Sequence, residues 1–319
     1  MMEYTQTALN CIGVGAISYL AYSLIDNLSI YLTPSKLHRY HHGQPGSTWA
    51  LVTGGSDGIG RGFVNNLLAQ GFNVLVHGRN KSKLDRIQSE LSSQYPHLSI
   101  RTVVSDASAT ELDIEAVTTA VAALPDPLTV LINNVGGTPP GLDFSTVEAQ
   151  PASYLDALIN MNLRFPAQVT HALLPGLKTH TPSLIVNIGS VAGQLAMPYV
   201  SAYGACKSFN NHFSRALKAE MRAEGLAERV EVLGVLVSKV ISASTAENRV
   251  DFFTATSDQL AKAALSRVGC GKALVWAWWR HWVQNLGLAV VPEALLERIL
   301  AGVLSEQRED ERQRNAKSQ

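Results

Sequence analysis

The stretch Thr53-Gly54-Gly55-Ser56-Asp57-Gly58-Ile59-Gly60 most narrows the architectures open to this chain. It directly follows the apolar run Ala50 to Thr53 and opens a segment in which Phe63, Val64, Leu67 and Leu68 recur at helical spacing. A glycine-rich turn between a buried strand and a helix allows an anionic group to approach the backbone, where free N–H groups and the positive helix end stabilise it. Gly54, Ser56, Asp57, Gly58, Ile59 and Gly60 are therefore candidates to hold the pyrophosphate of a dinucleotide. Such a turn is a weak signal alone and gains force from the order of strands, helices and polar residues further along the chain.

Further short apolar runs come at Asn73 to His77, Ser99 to Val103, Leu128 to Ile132, Leu184 to Ile188 and Val230 to Leu236, separated by helical patterns. Alternating buried strands and helices predict an α/β fold, a doubly wound parallel sheet of Rossmann type. An N-terminal membrane-anchor helix and a C-terminal amphipathic extension flank it. The expected divisions are 1–47 for anchor and linker, 48–270 for the catalytic domain, 271–304 for an aromatic strand and helix region, and 305–319 for a charged tail, helical or disordered. With 46% hydrophobic and 16% charged residues, 319 residues can bury one large core. Zero formal net charge leaves no global field to attract nucleic acid, and no nucleic-acid partner is expected. Cys11, Cys206 and Cys270 are too few and too scattered for a disulfide framework or a zinc site, and Cys206 reads as small buried filler. No metal site is expected.

About 20 residues beyond the glycine turn, where a carboxylate would grip the adenosine ribose of NAD, the chain reads His77-Gly78-Arg79-Asn80. The Arg79 guanidinium can pair with a 2′-phosphate that a carboxylate would repel, so NADP(H) is the expected cofactor. Asp106, after the third strand, can accept from the adenine amine, and Asn134 and Gly136 of Asn133-Asn134-Val135-Gly136 would line the cleft. Each of these also suits an ordinary strand-end turn.

Tyr203-Gly204-Ala205-Cys206-Lys207 sets a phenol and an ammonium one helical turn apart, thirteen residues beyond Ser190 at the end of the fifth strand. A nearby cation is expected to lower the Tyr203 pKa and suit it to exchange a proton with a carbonyl oxygen. A Ser-Lys hydrolase is the competing chemistry, but Ser190 stands in no GxSxG elbow.

Together the TGxxxGxG, NNxG, Asn162, Ser190, Tyr203 and Lys207 elements resemble the short-chain dehydrogenase/reductases over about residues 48–270. That resemblance implies Tyr203 as general acid, Ser190 orienting the carbonyl, Lys207 holding the nicotinamide ribose, and Asn162 supporting a relay water. Gly71-Phe72-Asn73-Val74, the Arg79 region and Leu174-Pro175-Gly176 are similar to the microsomal 3-ketoacyl-CoA reductases and the 17-beta-hydroxysteroid dehydrogenases. The implied substrate is a lipophilic ketone: a 3-oxoacyl-CoA first, then a steroid or a secondary metabolite. A non-catalytic membrane-bound nucleotide sensor is the reading from another class. Two departures stand out. The Pro-Gly usual after the sixth strand is replaced in Gly234-Val235-Leu236-Val237-Ser238-Lys239, where Val237 is the nicotinamide-side candidate, and the tail lacks a dilysine signal.

From Tyr4 to Ile25 no residue is charged, a length that can cross a bilayer, although Asn10, Ser18 and Ser23 leave an interfacial or packed helix open. Lys36 and Arg39 follow the segment and Glu3 precedes it, which puts the catalytic domain on the cytosolic side. With the resemblance, this implies the endoplasmic reticulum membrane. His38, His41 and His42 read as a solvated linker cluster. Trp276, Trp278, Trp279 and Trp282, followed by Val283, Leu286, Leu288, Val290 and Val291, admit a second membrane contact or a seventh strand from Lys272 to Ala277 with a packed helix. Phe209 and Phe213 would serve as core or, in a homo-oligomer, as dimer contacts. The segment 237–266, with Phe252 and Phe253, is where a substrate lid or simple packing is expected.

Overall fold

A computed structural model describes residues 2–139, 144–241 and 251–317. Helix α1 (Met2–Leu32) precedes a short 3-10 turn (Leu37–His41), after which strands and helices alternate: β1 (Trp49–Val52), α2 (Gly58–Ala69), β2 (Asn73–Gly78), α3 (Lys81–Gln94), β3 (Ile100–Val104), α4 (Ile114–Ala122) and β4 (Leu128–Asn133). The second half runs α5 (Ala152–Ile159), α6 (Phe165–Thr179), β5 (Ser183–Ile188), α7 (Ser201–Ala223), β6 (Val230–Leu236), the small pair β7 (Val240–Ile241) and β8 (Ala255–Thr256), α8 (Ser257–Leu265), β9 (Leu274–Trp276), α9 (Trp279–Ala289) and α10 (Glu293–Lys317). The main sheet is parallel in the order β3-β2-β1-β4-β5-β6-β9. The strand order reverses between β1 and β4, and at such a point the loops leave to opposite sides and open a crevice.

Strand pleating explains why both faces are dry. Ala50 and Val52 of β1 join Val74, Val76, Val130 and Ile132 in one core beneath α2 and α8. Trp49 and Leu51 point the other way and meet Leu75, Leu131, Phe165 and Val169 in a second. The expected strands are present with ends shifted by a residue, and the seventh strand is the shorter β9.

The approach to the domain is more ordered than the sequence suggests. Tyr40 is buried and its hydroxyl donates to Glu231 at 2.5 Å, while Thr48 and Thr129 hydroxyls both donate to the Tyr40 carbonyl. His41, expected in solvent, is buried and stacks on Phe72 with ring centroids 4.0 Å apart. Burial overrides its polarity because Phe72 offers a flat apolar partner, and the same burial keeps its pKa below the ordinary histidine value. His42 remains exposed and bonds the Pro182 carbonyl.

Helix α1 is bare along most of its length, with Leu9, Ile12, Ile17, Leu20 and Ile25 all exposed, and Tyr4–Leu32 is long and apolar enough to span a membrane. Its last turns are fixed to the domain. Ile30 is buried, Tyr31 Oη donates to the Trp276 carbonyl at 2.6 Å, Arg267 donates to the Ile30 carbonyl, and Lys272 pairs with Asp26 at 2.6 Å. The tail forms the helix α10, which closes over the loops after β4 and β5. Its Ser305 meets the Tyr199 hydroxyl at 3.3 Å, Arg308 lies 4.7 Å from the Tyr199 ring centre, and Glu311 accepts from Phe144 N–H at 3.0 Å.

Candidate active site

The glycine turn sits where β1 meets α2, as its sequence position requires. A Cβ on Gly60 would lie 2.1 Å from the Gly54 carbonyl oxygen and 2.5 Å from Asn134 Nδ2, so only glycine lets the helix start against the turn. Asn134 reinforces that contact, donating from Nδ2 to the Thr53 carbonyl at 2.9 Å while its N–H donates to Thr53 Oγ1 at 2.9 Å. From below, His77 Nδ1 accepts from Gly54 N–H at 3.2 Å. His77 is buried against Phe165, and burial lowers its pKa to about 4, so the ring is neutral and able to accept.

Asp57 caps α2 through its side chain, accepting from Gly58 N–H at 2.7 Å, and pairs with Lys83 at 2.5 Å. Burial opposes its charge, but Lys83 and the Gly58 N–H outweigh it and hold the carboxyl below the usual range. Arg79 is exposed just past β2. Asp106 is also exposed; Oδ1 accepts from the amide and the hydroxyl of Ser108, and these bonds, with help from Arg79, outweigh partial burial and keep the carboxyl ionised. Lys83 ties α3 to the turn through its ion pair with Asp57, a contact that was not legible because it relies on α3 folding back.

At the C-terminal edge of β4 and β5 the other candidates converge. The Ser190 hydroxyl lies close enough to the Tyr203 phenol to lower its pKa, and Lys207 Nζ stands 5.7 Å from the Tyr203 ring centre and donates to the Ile188 carbonyl at 3.2 Å. A Cβ on Gly136 would stand 2.8 Å from Asn162 Oδ1 and 2.9 Å from Lys207 Nζ, which locates all three at one point. Asn162 lies in a π-helical turn (Asn160–Arg164) between α5 and α6. Such turns cluster at functional sites. Its amide donates to the Gly137 and Leu158 carbonyls and accepts from Gly137 N–H, so the side chain first of all shapes the Gly136–Gly137 loop. Val237 is buried, and its carbonyl accepts from Val191 N–H at 2.8 Å, next to Ser190.

The electrostatics differ from the sequence expectation. Burial pushes the Tyr203 phenol above its ordinary pKa, with the Ser190 hydrogen bond pulling the other way. Lys207 does not reverse this, because burial also lowers its own ammonium to about 8 and weakens it as a cation. Asn211 is a further contributor that no local motif signals: its Nδ2 donates to the Ser190 carbonyl at 3.1 Å and its Oδ1 accepts from Ser190 N–H at 3.4 Å, clamping the backbone that carries the serine. Cys206 is buried, and burial raises its thiol pKa, consistent with filler. Among the described residues no cluster suited to a metal ion occurs.

A doubly wound sheet with a glycine turn at its switch point and a Ser-Tyr-Lys group across the crevice defines a dinucleotide-dependent oxidoreductase of α/β type. Residues 48–251 match the family model for short chain dehydrogenases, and the chain belongs to that family. It is 30% identical over 295 residues to a very-long-chain 3-oxoacyl-CoA reductase of Podospora anserina, covering 88% of this chain and 81% of that one. It is 29% identical to hydroxysteroid dehydrogenase-like protein 1 of Gallus gallus, covering 74% and 70%. Among solved structures, a 7beta-hydroxysteroid dehydrogenase superposes with a TM-score of 0.70 at 20% identity, over 80% of this chain and 96% of that one. A Sphingobium yanoikuyae short-chain dehydrogenase in complex with NADPH superposes with a TM-score of 0.62 at 24% identity, over 77% and 97%. The chain is therefore a short-chain dehydrogenase/reductase, an enzyme that uses a nicotinamide dinucleotide.

Proposed function

We propose that this enzyme reduces the ketone of a 3-oxoacyl-CoA to a secondary alcohol with NADPH, at a membrane. The observation that carries the chemistry is the convergence of Ser190, Tyr203, Lys207 and Asn162 at the sheet edge, with Lys207 Nζ 5.7 Å from the Tyr203 ring centre. Tyr203 is protonated at neutral pH, and burial, by raising its pKa further, holds it in the form that can give a proton to a developing alkoxide. Ser190 donates to the same oxygen and orients the carbonyl, Lys207 holds the nicotinamide ribose, and Asn162 keeps the loop at Gly136 open beside it.

In the turn, Gly54 and Gly58 set the shape, their N–H groups being given to His77 and Asp57, while the backbone of Ser56, Ile59 and Gly60 faces the pyrophosphate position and the packing tolerates no Cβ at Gly60. Asp57 contributes through its backbone, its carboxylate being engaged with Gly58 and Lys83. Arg79 favours the 2′-phosphate of NADPH over the bare ribose of NADH. Asp106, Asn134 and Val237 would border the adenine, the central cleft and the nicotinamide. The chemistry the coenzyme would supply here is a hydride for the carbonyl carbon, with Tyr203 giving the proton to the oxygen.

Substrate class rests on the relatives and on the surroundings of Tyr203. An open cleft of about 580 Å³ runs along α7 beside Gly204, bounded by Leu195, Met197, Pro198 and Val200. Its walls suit an acyl chain. A steroid ketone is the second reading, favoured by the hydroxysteroid dehydrogenase-like relative. Phe252 and Phe253 meet edge to face and Phe252 packs on Trp279 of α9, while 242–250 of the expected lid segment lies outside the described residues.

Helix α1 spans the endoplasmic reticulum membrane, with the domain on the cytosolic face by the basic residues after it. The exposed stripe Trp279, Val283 and Leu286 of α9, continued by Val290 just past its end, rests on the same bilayer surface, because Trp282 of that helix packs on Tyr31 of α1, with ring centroids 6.2 Å apart. Residues 1–47, 48–270, 271–304 and 305–319 act as anchor, catalytic domain, membrane-facing region and tail. Phe209 and Phe213 stack at 5.4 Å on α7 and suit a homo-oligomer contact. Converting long-chain 3-oxoacyl-CoA with NADPH, and losing that activity in Tyr203→Phe, tests the reading. Turnover of a steroid ketone alone would replace the acyl-CoA assignment.

A further inference from the structure

The segment after β6, where Val237-Ser238-Lys239 replaces the usual Pro-Gly, lacks the stiffness a proline ring would give it. It nevertheless starts one hydrogen bond from Ser190. We propose that His281 of α9 supplies the missing rigidity, as a positioning residue that fixes the Ser238–Lys239 backbone at the nicotinamide end of the coenzyme site. This rests on the coenzyme reading given above.

His281 has 0% of its surface exposed, and both ring nitrogens meet this backbone: Nδ1 accepts from Ser238 N–H at 3.4 Å and Nε2 lies 3.2 Å from the Lys239 carbonyl. The neutral ring with its proton on Nε2 satisfies both at once. Burial favours that neutral form, holding the pKa below the ordinary histidine value against the backbone bonds to Lys239 and Phe253. The remainder of α9 adds to the grip. Gln284 Oε1 accepts from Ser238 Oγ at 2.8 Å, and Trp278, just before α9, meets the imidazole edge-on at 4.9 Å.

The far arm is held by the same turn of helix. Arg280 donates to the Phe252 carbonyl at 3.2 Å, its guanidinium stacked 4.3 Å from the Phe252 ring centre, and Lys239 pairs with Asp251 at 3.0 Å. One helical turn therefore secures residues 238–239 and 251–253 together. A fully buried histidine whose two nitrogens are used on consecutive residues of an active-site loop has no packing reason to be polar, since a leucine would fill the space without a desolvation cost.

The test uses full-length protein in detergent micelles, measuring the NADPH dissociation constant by nucleotide fluorescence, steady-state kinetics, and amide hydrogen exchange of peptides spanning 237–241. His281→Ala is expected to raise the NADPH dissociation constant and KM by about tenfold, the scale of one or two lost buried hydrogen bonds, with kcat at saturating NADPH changed by less than about threefold. Exchange in 237–241 should rise while β4 and β5 stay protected. His281→Gln, whose amide can both accept from Ser238 and donate to Lys239, should restore most of the affinity and protection. The proposal is overturned if His281→Ala leaves affinity within about twofold of the parent, if exchange at 237–241 is unchanged, or if glutamine rescues nothing. Failure of the parent protein to bind NADPH would refute the coenzyme reading and the functional half of the proposal, whereas loop exchange separately decides whether His281 holds the backbone.

Discussion

His77 makes the glycine turn sensitive to acid, and the size of the effect comes from its burial. The side chain is 1% exposed, accepts from Gly54 N–H through Nδ1, and has its pKa lowered to about 4. Between that value and an unfolded value of about 6.5, the unfolded chain binds a proton that the folded chain refuses, so stability is complete above this window and falls as pH drops through it. The whole window is worth about 3 kcal/mol, and about 2 kcal/mol of it is lost by pH 5. His77→Asn is the matched perturbation, because the Asn carbonyl oxygen can stand where Nδ1 stands and still accept from Gly54. Denaturant unfolding of the detergent-solubilised protein at pH 8 and pH 5 should show the variant less stable at pH 8, having lost its stacking on Phe165. Its loss between the two pH values should be smaller than that of the parent by about 2 kcal/mol. Parallel pH dependences for parent and variant would refute the reasoning, since the proton would then be taken up elsewhere.

Other consequences are as direct. Tyr203→Phe should abolish turnover while leaving NADPH affinity within about threefold, checked by fluorescence titration, because the hydroxyl acts on substrate and not on coenzyme binding. Arg79→Ser should raise the KM for NADPH by about tenfold or more and leave that for NADH nearly unchanged, as expected of a charge-assisted bond to a 2′-phosphate. Gly60→Ala should eliminate coenzyme binding, visible as loss of NADPH fluorescence enhancement, because its Cβ would overlap the Gly54 carbonyl backbone at 2.1 Å. Asn211→Leu should lower kcat more than it raises KM for NADPH, since it frees the Ser190 backbone without touching the glycine turn.

Much of this architecture was legible because its signals are local. The glycine turn, the apolar runs and the Tyr203–Lys207 spacing are each written within a few adjacent residues, and period-2 burial carries Trp49, Ala50, Leu51 and Val52 alternately to the two cores. What escaped relies on partners far apart in sequence. Tyr40 meets Glu231 across 191 positions, and His281 meets Ser238 across 43, so neither leaves a local pattern. The sign of the Tyr203 shift escaped for a related reason: adjacency to Lys207 was readable, but the burial that outweighs it depends on how the loops pack above. The tail allowed either helix or disorder, and contacts of Ser305, Arg308 and Glu311 with the loops after β4 and β5 accompany the helix.

The most direct measurement is NADPH oxidation by the membrane-associated full-length protein with a long-chain 3-oxoacyl-CoA, run beside Tyr203→Phe and with NADH in place of NADPH. Turnover is expected with NADPH, much less with NADH, and none in the variant. NADPH binding without turnover of any 3-oxoacyl-CoA, or turnover that survives Tyr203→Phe, would contradict that expectation.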